Sequence, residues 1–413
     1  MTYHDHHFHP LGYAELVNGL ELMDASDIGE VLRRVATRAD QVEGPVVGQR
    51  LNDEGLHEKR LPTRKDLDEV VAERPVLLYR YCGHIAVANS AALKLAGIGS
   101  GTSDPEGGSF DRNADGEPTG VLRETAIAVA SRAISPLVPG PSDAEILRAL
   151  GQLPAMGIGS VTGIVSVGEP LWCGVPNELD VLCRLAPALP IDVDVLVIAG
   201  NPAELADAAE QIRRSAGRIR FLGWKEFADG SFGGHTAAMH EPFSDRPDTR
   251  GTDRLDREHA MTMSRATTML GGSVAIHAIG DRANDAVLDL FGDLIKMGAD
   301  PTRLRVEHAS ILTDEAIERM ARLGVTASVQ PAFLASESSW LEKRLGPDRI
   351  DRVYPFRSLL EAGVPLLGGS DSPVEHPDPE IGIRAAIDRH GLNPSQGITL
   401  DQARALFGPA GRF

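Results

Sequence analysis

Short apolar runs that end at metal-ligating side chains constrain this chain more than any other feature. Gly159 to Ile164 reads as a strand, and Ile191 to Ile198 alternates Val and Ile with Asp192 and Asp194. Arg218 to Phe227 carries Lys225, while Val274 to His277 and Leu304 to His308 each end in histidine. Val325 to Gln330 and Val364 to Gly368 follow, and Asp371 stands past a glycine pair in Gly-Gly-Ser-Asp-Ser-Pro. Helical stretches separate the runs, among them Asp281 to about Leu294, and Asp314 to Leu323 with Thr313 placed as its cap. Strands alternating with helices indicate parallel βαβ units and an α/β fold. Histidine, lysine and aspartate at successive strand ends point to a catalytic metal centre at one mouth of a barrel.

A barrel uses roughly 250 residues, so a chain of 413 has room for an insertion. The rhythm breaks between about 42 and 135, a stretch rich in Gly, Pro and charge. Thr63 is placed to cap a short helix there, and Asp104 to Gly108 and Asn113 to Glu117 are turn signals between short strands. Before it, Ser26 or Asp27 can cap a helix through Glu30 to Val35. The expected architecture is a single unit of residues 1–413: a barrel with a long insertion near its second strand.

Composition excludes several classes. A net charge of −18 and no basic stripe argue against a nucleic-acid surface. Cys82, Cys173 and Cys183 are odd in number and lack zinc-type spacing, so a reducing, cytoplasmic setting is expected. The first ten residues are polar and His-rich, unlike a signal peptide. No apolar stretch reaches the roughly 18 residues of a membrane span.

The candidate ligands have bland alternatives. His7 and His9, in His-Phe-His, lie two apart and on a strand would share a face, although His4 and His6 also suit a His-rich terminus. Lys225 follows apolar Phe221, Leu222 and Trp224, where a charged amine is expensive. Carboxylation to a metal-bridging carbamate, or pairing with Asp229 or Glu226, would each relieve it. His277 and His308 lie 31 residues apart, about one βα unit. Asp371 suits either a turn cap or a carboxylate that binds metal and shuttles a proton. No phosphate loop, Gly-x-Ser-x-Gly elbow or His-Glu-x-x-His motif is present.

From His7 to about Phe407 the chain resembles the amidohydrolase superfamily, and within it amidohydrolase family 3, the branch that includes N-substituted formamide deformylase. The most specific stretches are His9 to Gly12, Gly83-His84 through Asn89 to Leu93, Phe227 to Ser231, His277 to Ala283 and Gly369 to Asp371. The resemblance implies a distorted (β/α)8 barrel with a site at the C-terminal strand ends. His7, His9 and Asp371 would hold one divalent metal, zinc by expectation. His277 and His308 would hold a second or serve a single ion, and Lys225 would bridge as a carboxylysine. Asp371 would move the proton, Lys225 would join the catalytic machinery, and His84 would contact a small-molecule substrate. The implied activity is hydrolysis of an amide-type, non-peptide C–N bond by a metal-activated water, with N-formyl or cyclic amide substrates. The alternatives are deamination, ester or lactone hydrolysis, or a truncated, non-catalytic barrel.

Three departures stand out. Family members carry a small β-sandwich built from both termini, whereas six residues precede His7 and 42 follow Asp371 here. The sandwich is therefore expected to be absent or vestigial, which would expose barrel edges and favour a homodimer. Cys82 stands where relatives more often have Asp, and His235 where Arg is commoner.

Overall fold

A computed structural model describes residues 2–105, 107–138, 140–168 and 177–408, so Cys173 lies outside the described residues. Chain contacts divide the described residues into two units, one of 2–11, 147–168 and 177–408, the other within 12–146.

The first unit is built on eight parallel strands. They are β1 (Tyr3–Phe8), β2 (Ile158–Ser166), β3 (Asp192–Ile198), β4 (Ile219–Phe227), β5 (Ser273–Ala278), β6 (Leu304–His308), β7 (Thr326–Val329) and β8 (Leu366–Gly368). Each pairs with the next in sequence order. The ring nearly closes where Phe8 bridges Ser372, the Asp371 N–H donates to the His7 carbonyl (2.7 Å) and the His9 N–H to the Ser372 carbonyl (2.9 Å). Glycine is needed at this seam: a Cβ on Gly369 would meet the His7 backbone nitrogen at 2.5 Å. Helices such as Pro202–Arg214, Asp281–Lys296 and Asp314–Leu323 alternate with the strands, the last capped by Thr313 as predicted. The strand β8 starts at Leu366, two residues later than predicted, because Pro365 has no N–H to give to a ladder.

Polar groups are buried at several levels of this unit. His4 is buried, with Nδ1 2.7 Å from Ser160 Oγ and Nε2 3.0 Å from Thr162 Oγ1. Burial pushes its pKa down to about 4, with Asp194 opposing and Arg305 and Arg220 reinforcing. The unfolded chain therefore takes up this proton near pH 6.5 and the folded chain only near 4, so stability falls as pH drops through that window. His4→Gln keeps two hydrogen-bonding groups and removes the titration. Urea midpoints at pH 7 and 5 should fall less for the variant than for the parent, by about 2 kcal/mol in stability. Equal pH slopes for the two proteins would contradict this.

The second unit is a six-stranded mixed sheet in the order Leu20–Glu21, Val46–Leu51, Val76–Arg80, Ile85–Ala88, Pro118–Glu124, Gly108–Arg112. The first two pairings are parallel and the other three antiparallel. Helix Ile28–Gln41 is capped by Asp27, and Thr63 caps Arg64–Asp68 with a capping box. The predicted Asn113 to Glu117 turn is the hairpin between the last two strands, with Gly116 at φ 80°. The unit is wider than the interruption expected at 42–135, because Val31, Val35 and Ala39 of the first helix pack into its own core with Val46, Val76 and Val87. No helix among the described residues is long and apolar enough to cross a membrane.

Candidate metal centre

Strand β1 delivers His7 to the barrel interior, and His9 follows just past its end. Asp371 arrives from the turn after β8 with φ 57°, a left-handed conformation that aspartate tolerates better than most residues. Its Oδ1 lies 3.2 Å from His7 Nε2 and 3.0 Å from His9 Nε2. One ligand atom from each of the three lies within 4.8 Å of the others, so the three could share one ion. All three side chains are buried.

A carboxylate shell fixes this trio. Glu307 Oε2 sits 2.7 Å from His7 Nδ1, which sets the ring's orientation and leaves Nε2 toward Asp371. The other Glu307 oxygen lies 2.9 Å from Arg305, whose guanidinium also donates to the His6 carbonyl and Ser328 Oγ. Asp5, two residues before His7, accepts from the backbone N–H groups of His7 and Ser370 and from the Ser370 hydroxyl. It therefore ties β1 to the turn that carries Asp371.

The electrostatics follow from burial and these contacts. Burial pushes His7 down, but the Asp371 and Glu307 carboxylates reverse this and hold it up at about 9. Burial alone would raise Asp371 and Glu307. His7 and His9 keep Asp371 well below the usual carboxylate range, and Arg305 with His7 does the same for Glu307. Burial also lowers His9, and together with His277 and His7 it holds His308 well below its ordinary value.

His277 and His308 come next to the trio. The His308 ring lies 4.3 Å from that of His277 and 4.9 Å from that of His7. His308 and Ala309 both adopt positive φ (73° and 45°), which ends β6 abruptly and stores strain at the site. Buried His308 Nδ1 has no hydrogen-bond partner. An orphaned imidazole nitrogen beside a His-His-Asp set suits a further metal–ligand bond. His277 Nε2 lies 2.9 Å from the Gly230 carbonyl and 3.3 Å from Asp229 Oδ1.

Lys225 is 1% exposed on β4. Its Nζ donates to the Glu226 carbonyl at 3.0 Å and lies 3.8 Å above the Phe227 ring. Burial pushes its pKa down to about 8, against the pull of Glu307 and Asp371. Asp229, weighed as its ion-pair partner, instead accepts the backbone N–H groups of Ala238, Ile279 and Gly280. His277 and His308 thus stand outside the set of three that shares one point.

His84 lies in the second unit, its Nδ1 2.9 Å from Glu124 Oε2. Cys82 and Cys183 are free thiols. His235 places Nε2 3.0 Å from Asp245, which Arg344 also grips.

The sequence reading did not single out Glu307, Arg305 or Asp5. A signal existed: Arg305 and Glu307 alternate with apolar Leu304 and Val306 ahead of His308, and Asp5 lies two residues before His7 on the same strand.

The Amidohydrolase family model matches residues 4–411. The putative amidohydrolase YtcJ of Bacillus subtilis (strain 168) is 32% identical over 407 residues, covering 97% of this chain and 75% of YtcJ. N-substituted formamide deformylase of Arthrobacter pascens is 27% identical over 365 residues, 85% of this chain and 66% of that protein. Among solved structures, an uncharacterized metal-dependent hydrolase from Pyrococcus horikoshii OT3 matches with a TM-score of 0.74 and 31% identity, over 97% of this chain and 78% of that one. With such matches running along nearly its whole length, the chain belongs to the Amidohydrolase family and is a metal-dependent hydrolase.

Proposed function

We propose that this protein hydrolyses an amide-type C–N bond of a small, non-peptide substrate. The observation that carries the reading is the His7, His9 and Asp371 set, three buried donors within reach of one point at a barrel mouth. The donors suit zinc, which would supply Lewis acidity and a water acidified to near neutral pH. His277 and His308 stand ready for a second ion or for the substrate carbonyl. Asp371, kept ionised by both imidazoles, accepts a proton from the attacking water and returns it to the leaving nitrogen. Glu307 holds His7 in place while this happens. Lys225, with its amine pushed down to about 8, keeps a neutral fraction that can form a carbamate with carbon dioxide. Amide chemistry is further supported by the deformylase relative.

Two measurements test the proposal. Elemental analysis of protein purified without chelators should find one or two equivalents of zinc or a similar ion. In a panel of N-alkylformamides, cyclic amides, aminoazines and esters, formamides should release formate and amine and cyclic amides should open to amino acids, while ammonia and alcohol release stay low. Folded protein that takes up no divalent ion after supplementation would sink the metal reading. Turnover confined to esters or to deamination would sink the C–N hydrolysis reading.

A further inference from the structure

Gln330 lies immediately after β7 and is 1% exposed. Both its amide nitrogen and its amide oxygen lack a hydrogen-bond partner. A buried carboxamide with every polar atom unmet is costly, and native structures keep such groups where a ligand or water completes them. Its direction follows from the strand. Ser328 pairs in register with Glu307, and its hydroxyl accepts from Arg305, so Ser328 faces the polar interior. Alternation puts Gln330 on the same face, one pleat closer to the C-terminal mouth. The following turn links it to the site through Phe333: the Phe333 N–H donates to the Gln330 carbonyl at 3.2 Å, and the Phe333 ring stacks on His308 with centroids 6.0 Å apart. Orphaned atoms recur on either side, at His308 Nδ1 at the end of β6 and Ser372 Oγ after β8.

We propose that Gln330 orients the substrate by pairing its carboxamide with an adjacent carbonyl and N–H, selecting ligands that present an amide or ureide edge. A primary carboxamide offers one acceptor and one donor side by side, and the complementary edge is a carbonyl next to an N–H, as in a lactam or a cyclic ureide. A ligand lacking the N–H leaves the Gln330 oxygen buried and unpaired, which is how a polar site rejects an isostere. The inference rests on the C–N hydrolase reading for its site, and its test is separable from that reading.

The test compares 2-piperidone with cyclohexanone, a ring of equal size whose CH2 replaces the N–H. Dissociation constants are measured by ligand-observed NMR for the parent protein and for Gln330→Met, which keeps the side-chain length without polar atoms. The parent should bind 2-piperidone about tenfold or more tightly than cyclohexanone, and Gln330→Met should bring the ratio near one. The ligand-free Met variant should also melt a few degrees higher, because an unmet carboxamide is gone. A ratio near one in the parent overturns the proposal. So does a parent-like ratio in Gln330→Met, even with a raised melting temperature, since Gln330 would then serve an internal water only. Zinc content and formate or amine release are measured on the same preparations. Their failure with an intact lactam preference would sink the hydrolase reading and leave Gln330 its role.

Discussion

Asp371→Asn is expected to lower kcat by about 10²- to 10⁴-fold, the range associated with losing a positioned acid–base group. Asn fits the same space; it weakens the carboxylate contacts to His7 and His9, but the backbone contacts of the seam do not use them. The seam rests on the Asp371 N–H to the His7 carbonyl and on Asp5 with Ser370. The fold should survive, as checked by an unchanged urea midpoint or one moved only slightly. Metal analysis then separates two roles. Retained zinc with lost turnover assigns Asp371 to proton transfer, while lost zinc assigns it to metal binding first. Near-parental turnover in Asp371→Asn would remove Asp371 from the mechanism altogether.

Glu307→Leu should have the largest effect on the folded state. Glu307 is fully buried between His7 and Arg305, and removing it leaves the Arg305 charge uncompensated. Breaking one partner of a buried pair costs about 3–5 kcal/mol, readable by urea unfolding. On the metal reading proposed above, losing the carboxylate behind the His7 imidazole should also weaken divalent-ion binding by about 10- to 100-fold in a chelator competition. The double variant Arg305→Met/Glu307→Leu discriminates the two effects. Removing both charges should restore much of the stability, because Arg305 no longer stands unpaired, but His7 still lacks its support and divalent-ion binding stays weak. A double variant that regains parental zinc affinity would show that Glu307 acts on stability alone.

The barrel was legible because its signals are local. Apolar runs of the right length, Thr313 before a helix and charge after strand β8 each follow from side-chain periodicity and capping within a few residues. The same locality explains what stayed open. The helix Ile28–Gln41 has an amphipathic pattern that suits either unit, and only packing against Val46 and Val76 commits it to the second. Lys225 and Asp229 are near in sequence, so an ion pair between them was plausible. Folding turns the aspartate onto three backbone N–H groups and leaves the lysine over Phe227.

By itself the sequence determined which side chains stand at strand ends, since strand and helix periods are written in neighbouring residues. It named His7, His9 and Asp371 as candidates, but 362 positions separate His9 from Asp371. Only closure of the barrel seam brings them within one ion's reach, with Glu307 behind His7 and Gln330 unmet just past β7. Those relations come from long-range strand register and burial, which no local pattern encodes, and they decide which of the candidate residues act together.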